Sequence, residues 1–185
     1  KTAFVIKDTV SYAASAQPVP IEKLQAFSLA SDILSNEYYI PKIRLEGGAY
    51  GANAMTDRVY FSAYAARDPN PMRTLEIHKR AKNADLKLTK ESVAPYIIAR
   101  YGIETAPGGL YTQAFVNAVN YIRGYSIDDV KANLEKTKNT SVMEIEAAIR
   151  NINAGGCYAV LTNESTLKTA DVQFDEVINL TNEGN

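Results

Sequence analysis

The chain has 185 residues, of which 46% are hydrophobic and 22% are charged, a composition typical of a globular protein. Its formal net charge of -1 leaves no basic excess, which argues against nucleic acid and anionic membranes as partners. No stretch approaches about 18 consecutive apolar residues, so we expect a soluble chain. One histidine, His78, and one cysteine, Cys157, cannot supply the paired ligands of a metal site or an internal disulfide.

Two strands are predicted at the start of the chain, over residues 3–7 and 9–16. The second alternates along its length, which is typical of a strand with one buried face. Pro18 is expected to end the sheet, because proline has no N–H to donate to a neighbouring strand. The chain begins with Lys1 rather than Met, from which we expect a domain or processed fragment of a longer protein.

A helix is predicted next, from Pro20 to about Glu37. Proline is tolerated in a first helical turn, and the apolar residues that follow form a broad stripe suited to packing on a sheet. Pro41 is expected to interrupt the helix, with a short continuation that ends near Arg44. The Gly47–Gly48 pair that follows can adopt backbone angles that other residues resist.

The clearest hairpin signal is formed by residues 49–54 and 59–64, which flank the polar turn Thr56-Asp57-Arg58. It is followed by the segment Arg67-Asp-Pro-Asn70, a strong turn and helix-start signal. A helix is predicted over residues 72–82, with the asparagine of this segment as its cap. The arginine and aspartate are interpreted as a pair that stabilises the turn.

The second half of the chain is predicted to be mostly helical. Three residues can cap helices there, namely Thr89, Ser126 and Ser141. A further helix is predicted over residues 110–123, a short buried strand over 157–161 and a final strand over 172–180. These elements predict one α+β domain spanning residues 1–185, with a mostly antiparallel sheet and helices packed on one face.

The segment Ile43-Arg-Leu-Glu-Gly-Gly-Ala-Tyr-Gly-Ala52 and the Arg67-Asp-Pro-Asn70 turn resemble the pitrilysin/insulinase family of zinc metalloproteases. The similarity is to the branch that contains presequence protease, in which these motifs belong to the last of four homologous domains. The resemblance implies a clamshell of two halves that degrades peptides in a closed chamber. It also implies that zinc is bound by the N-terminal domain of the parent protein, and that this chain holds no metal or other cofactor.

The resemblance further assigns roles to five residues. Arg44 and Tyr50 match the family's arginine and tyrosine, which act in trans to the zinc domain as catalytic residues that contact the substrate carbonyl. Gly47, Gly48 and Ala49 would bind substrate by letting the backbone pass close to the peptide. Without the motif, Arg44 would be interpreted as a surface arginine that ends a helix, and Tyr50 as one of twelve ordinary tyrosines.

The expected partners are the zinc-binding half, in the same or a companion chain, and a peptide substrate. We expect no peptidase activity from this chain alone, and possible self-association of the isolated domain through apolar surface that its neighbour normally covers. The compartment is unknown, with a bacterial cytoplasm or an organelle matrix as the expected environment. His78 is interpreted as a helix surface residue and Cys157 as a small apolar residue in a buried strand.

Two other functions remain open from the sequence. The same fold serves as a scaffold in core proteins of respiratory complexes and in inactive homologues, so the chain could be a structural or assembly subunit. It could also be a self-contained module that binds peptides along the edge of its sheet. An inverted zinc helix in the parent gene or its neighbours would favour the peptidase over the scaffold.

Overall fold

The computed structural model describes residues 1–57, 59–106, 108–152 and 156–181, so Arg58 of the predicted hairpin turn lies outside the described residues. Within these ranges, six strands form one sheet. Their bounds are Thr2–Val5 (β1), Tyr12–Pro18 (β2), Gly51–Thr56 (β3), Tyr60–Ala66 (β4), Cys157–Thr162 (β5) and Glu176–Asn179 (β6). The predicted strands are confirmed with shifted ends, and Pro18 closes β2 rather than lying beyond it.

The strands lie in the order β3-β4-β2-β5-β1-β6, which makes β3 and β6 the two edges. The pairs β3–β4, β4–β2 and β2–β5 are antiparallel, whereas β1 runs parallel to both β5 and β6. The sheet is therefore mixed, with its antiparallel part formed by the hairpin, β2 and β5. The parallel part arises because segments from the two ends of the chain lie side by side.

One face of the sheet is covered by helices and the other is open. Along β4, Phe61, Ala63 and Ala65 are buried, while the alternate positions Tyr60 and Tyr64 are exposed. The strands β2 and β3 show the same alternation. This pattern confirms the α+β class with helices on one face, since a strand covered on one side alternates with a period of two.

Seven α-helices occur in the described residues. They are Leu24–Leu34 (α1), Pro71–Arg80 (α2), Lys90–Thr105 (α3), Leu110–Ile122 (α4), Ile127–Asn139 (α5), Val142–Arg150 (α6) and Glu164–Lys168 (α7). Short 3₁₀ turns precede α1 and follow α2. The three predicted caps are confirmed, because the side chains of Thr89, Ser126 and Ser141 each accept a hydrogen bond from a backbone N–H in the first turn.

The helix does not break at Pro41. A π-helical segment, Ser35–Leu45, continues directly from α1 and contains the proline in its interior. The Glu46 N–H donates to the Pro41 carbonyl at 3.0 Å, a spacing of five residues. The expected interruption is therefore wrong: the chain continues through the proline as a π turn, whose greater width eases the clash between a proline ring and the carbonyl of the preceding turn.

The helices differ greatly in how much they contribute to the core. Helix α1 buries seven of its eleven residues, among them Phe27, Leu29 and Ile33. Helix α4 is thirteen residues long, and the described structure buries none of them. None of the helices described is both long and apolar enough to cross a membrane.

Candidate functional site

The turn between the π segment and β3 carries the predicted site residues. The Gly48 N–H donates to the Arg44 carbonyl at 3.0 Å, and the Ala49 N–H donates to the Ile43 carbonyl at 3.2 Å. Gly48 has a φ of +80°, in the left-handed region that favours glycine. These bonds satisfy carbonyls at the end of the helix and turn the chain directly into β3.

Gly47 is required here because a side chain would not fit. A Cβ atom at this position would lie 2.5 Å from the Ile43 carbonyl oxygen and 2.8 Å from Arg73 Nη1. The Arg73 guanidinium, from α2, donates to the Lys42 carbonyl at 2.7 Å and pairs with Glu46 at 3.3 Å. Nothing local in the sequence indicated this contact, because Arg73 lies more than twenty residues beyond the turn.

A groove of about 590 Å³ runs along the outer edge of β3. One wall is the strand and the other is a row of side chains from α1 and the π segment. That row consists of Asp32, Asn36, Ile40 and Arg44. Arg44, exposed at the end of the row, therefore faces the edge groove. At the opposite end of the row, Asp32 forms a bidentate ion pair with Arg100 of α3, with distances of 2.6–2.9 Å.

The edge of β3 is only partly available for pairing. The Asp57 N–H donates to the Tyr60 carbonyl, so the alternation of an antiparallel pair directs the backbone groups of Ala52, Ala54 and Thr56 away from β4. At Ala54, Ser35 Oγ lies 2.9 Å from the amide nitrogen, from which it accepts, and 3.1 Å from the carbonyl oxygen. An added strand could not pair at Ala54 without displacing this buried serine.

Tyr50 is 72% exposed and immediately precedes β3. Its N–H lies within hydrogen-bonding distance of the Ala66 and Arg67 carbonyl oxygens, at 3.1 Å and 3.4 Å. The Arg67 guanidinium carbon lies 5.5 Å from the centroid of the Tyr50 ring. The structure thus places Arg44 and Tyr50 at the same end of β3, with Arg44 facing the groove and Tyr50 beside Arg67.

The three predicted substrate-binding residues differ in accessibility. Gly48 is exposed, Gly47 is half-buried against Arg73, and Ala49 is 4% exposed with its N–H already bonded. Gly48 is therefore the member of this group that an approaching peptide could reach most directly.

The Arg67-Asp-Pro-Asn70 turn is held by its aspartate. Asp68 is buried, its carboxylate accepts from the Asn70 N–H at 2.8 Å and from the Thr74 hydroxyl at 2.5 Å, and its own N–H donates to the Ser11 carbonyl at 2.8 Å. Asn70 occupies the N-cap position of α2 but makes no capping hydrogen bond through its side chain. The predicted side-chain cap at Asn70 is therefore wrong, and Asp68 instead ties the turn to α2 through the hydroxyl of Thr74.

Two interpretations of single residues are wrong. His78 is fully buried rather than on a helix surface, with its ring 5.3 Å from that of Tyr39 in an edge-on contact. Burial lowers the pKa of His78 from 6.5 to about 3, because the charged form loses its hydration. Cys157 is exposed, since it is the first residue of β5 and lies at the end of the strand rather than in its buried part.

The model of the PreP C-terminal domain family matches residues 1–149. The chain belongs to this family. A mitochondrial presequence protease from Yarrowia lipolytica is 29% identical over 149 residues, which are 70% of this chain and 15% of that protein. The chain spans between 5% and 16% of the length of the curated relatives it matches.

Two solved structures show the same fold. Pitrilysin matches with a TM-score of 0.68 and 15% identity, over 97% of this chain and 21% of its own. A peptidase M16 inactive domain from Pseudomonas fluorescens matches with a TM-score of 0.62 and 11% identity, over 86% of this chain and 42% of its own. This PreP C-terminal domain therefore has the fold of the pitrilysin family of metallopeptidases.

In the described part of this PreP C-terminal domain, side chains that could bind zinc are not grouped together. Across the described ranges, no group of three or more histidine, cysteine, aspartate or glutamate side chains is placed to hold a metal ion. A catalytic zinc needs three protein ligands, and the one imidazole is buried against Tyr39.

Proposed function

We propose that this domain is the non-zinc, C-terminal part of a zinc metalloendopeptidase that degrades peptides in a closed chamber, and that it is inactive in isolation. Arg44 and Tyr50 are the residues it contributes to the reaction. The observation that carries the proposal is the position of Arg44 in the edge groove, with Tyr50 at the same end of β3. The match to the PreP C-terminal domain family supports it.

The chemistry of the two side chains suits this role. When a nucleophile attacks a peptide carbonyl, negative charge develops on the oxygen, and hydrogen-bond donors fixed around that oxygen lower the barrier. A guanidinium and a phenol O–H both donate, and neither needs to gain or lose a proton to do so. Because they come from a domain without the zinc, closure of the chamber becomes a condition for turnover.

The edge groove offers the peptide a place to lie. Substrate could add to β3 as a further strand, with main-chain hydrogen bonds giving affinity that does not depend on sequence. Because the Ser35 hydroxyl already bonds the backbone N–H of Ala54, we expect the peptide to pair at the Ala52 end of the strand, close to Arg44 and Gly48. The open face of the sheet, with exposed Tyr60 and Tyr64, would line the chamber.

The experiment is a double variant in the full-length parent protein, Arg44→Ala with Tyr50→Phe. We expect peptide turnover to fall by at least about 10²-fold, the effect of losing one oxyanion donor, with zinc content unchanged. The matched control is Arg150→Ala with Tyr101→Phe, which alters an exposed arginine and an exposed tyrosine on α6 and α3. Undiminished turnover in the first variant would remove the assignment.

A structural or assembly subunit is the second candidate, and the match to an inactive domain of known structure keeps it open. The two functions differ in what they require of the parent protein. A parent gene and neighbours without any zinc-binding helix would favour the scaffold.

A further inference from the structure

We propose that Arg67 is a positioning residue that holds the Tyr50 ring in place for catalysis, an inference that rests on the proposed function. Tyr50 is 72% exposed, so packing alone constrains its ring weakly. The Arg67 guanidinium lies 5.5 Å from the ring centroid, within the range of a cation–π contact. A phenol that must meet a developing charge needs such a restraint, because orientation contributes strongly to rate.

The backbone of Arg67 is unusual for an arginine. Its φ is +47°, in the left-handed region where glycine and asparagine are common and long side chains are not. The surroundings hold it there: the Asp68 N–H donates to the Ser11 carbonyl, and the Asp68 carboxylate bonds the start of α2. Strain of this kind persists where the neighbouring structure fixes it, and it clusters at functional sites.

The Tyr50 backbone is tied to the same turn. Its N–H approaches the Ala66 and Arg67 carbonyl oxygens together, so the main chain and the ring of Tyr50 both meet Arg67. A glycine at position 67 would relieve the backbone angle but could not contact the ring. The presence of arginine at a strained position is explained if its side chain is needed beside Tyr50.

The test is a double-mutant cycle on kcat in the full-length parent, with Arg67→Met and Tyr50→Phe. Methionine keeps an unbranched side chain but removes the charge. We expect Arg67→Met to lower kcat about two- to fivefold, the factor that an exposed cation–π contact corresponds to, with KM little changed. In the Tyr50→Phe background the same change should have no further effect, because there is no hydroxyl left to position.

Further variants separate positioning from folding. Arg67→Lys should recover part of the lost kcat, because lysine keeps the charge, and Arg67→Gly should lower kcat while leaving the melting temperature equal or higher. Two results would overturn the positioning role. One is an equal loss of kcat from Arg67→Met whether residue 50 is tyrosine or phenylalanine. The other is an Arg67→Met enzyme with unchanged kcat. If Tyr50→Phe alone left kcat unchanged, the proposed function would fail first. If Tyr50→Phe slowed turnover and Arg67→Met did not, only the positioning role would fail.

Discussion

Single residues at the end of the π segment decide the path of the chain into β3. Gly47 packs under the Arg73 guanidinium and over the Ile43 carbonyl, and Gly48 takes the left-handed angle that turns the strand. Both glycines therefore have a structural reason to be present. The turn that these glycines form leaves Arg44 facing the edge groove. It also leads directly into β3, which begins just after Tyr50.

Replacing Gly47 with alanine is expected to destabilise the domain by roughly 1–3 kcal/mol, the usual effect of forcing atoms into a filled space. The arginine can move, but the Ile43 carbonyl belongs to the helix backbone and cannot. Urea unfolding measures the change. Gly51→Ala is the matched control, because a Cβ at Gly51 meets nothing within 4 Å, and its effect should stay within about 0.5 kcal/mol. Similar losses in both variants would contradict this account.

At the scale of elements, local sequence signals were strongest where a helix begins. Thr89, Ser126 and Ser141 cap helices as their neighbours predict, because capping bonds join residues two or three positions apart. The prediction at Pro41 was wrong because the structure there depends on packing in the core rather than on local bonds. A proline ends an α-helix by local rules, but the π segment around it is stabilised by packing of Tyr39 and Ile43 in the core.

Helix α4 presents an unusually apolar surface for an exposed helix. Leu110, Tyr111, Tyr121 and Ile122 are each more than 80% exposed. Large exposed apolar surface often marks an interaction site on a soluble protein.

We expect the isolated domain to self-associate through α4, because water then leaves this apolar surface. Tyr111→Ser with Tyr121→Ser should shift it toward monomer in sedimentation velocity runs at increasing concentration. Met143→Ser on α6 removes an apolar side chain of similar exposure away from α4 and serves as the control. A monomer at all concentrations in the unaltered domain, or equal shifts in both variants, would show that α4 is not the contact.

The stability of the whole molecule is expected to depend on pH through His78. In the folded domain its pKa is about 3, whereas the ordinary value is 6.5. Between these values the unfolded chain binds a proton that the folded domain does not. The contribution of His78 to stability is therefore fully present above about pH 6.5, and its loss approaches roughly 1.4 kcal/mol per pH unit as pH drops toward 3.

Urea unfolding at several pH values between 7 and 4 measures this dependence. Carboxylates also titrate in the range, so the comparison is with His78→Phe, which keeps an aromatic ring against Tyr39 and removes the titrating group. The variant should lose stability less steeply with acid than the unaltered domain. Equal slopes would show that burial of the neutral imidazole does not control acid stability.

The order of strands in the sheet also depends on the whole molecule, because it joins segments that are far apart in the chain. The hairpin β3–β4 was predictable because its strands are adjacent in the sequence, and the class of fold followed from the periodic patterns. The parallel pairing of β1 with β5 and β6 was not, since it joins residues more than 150 positions apart. No local pattern encodes which distant strand a segment will meet.

The sequence by itself determined the capped helices, the hairpin and the family motif that points to Arg44 and Tyr50, because each depends on residues close together in the chain. The tertiary structure alone decided that His78 is buried, that Cys157 is exposed, that Ser35 occupies the edge of β3 and that Arg67 meets Tyr50. Burial and edge coverage depend on which distant elements pack together, and that depends on the sum of many contacts rather than on any one segment.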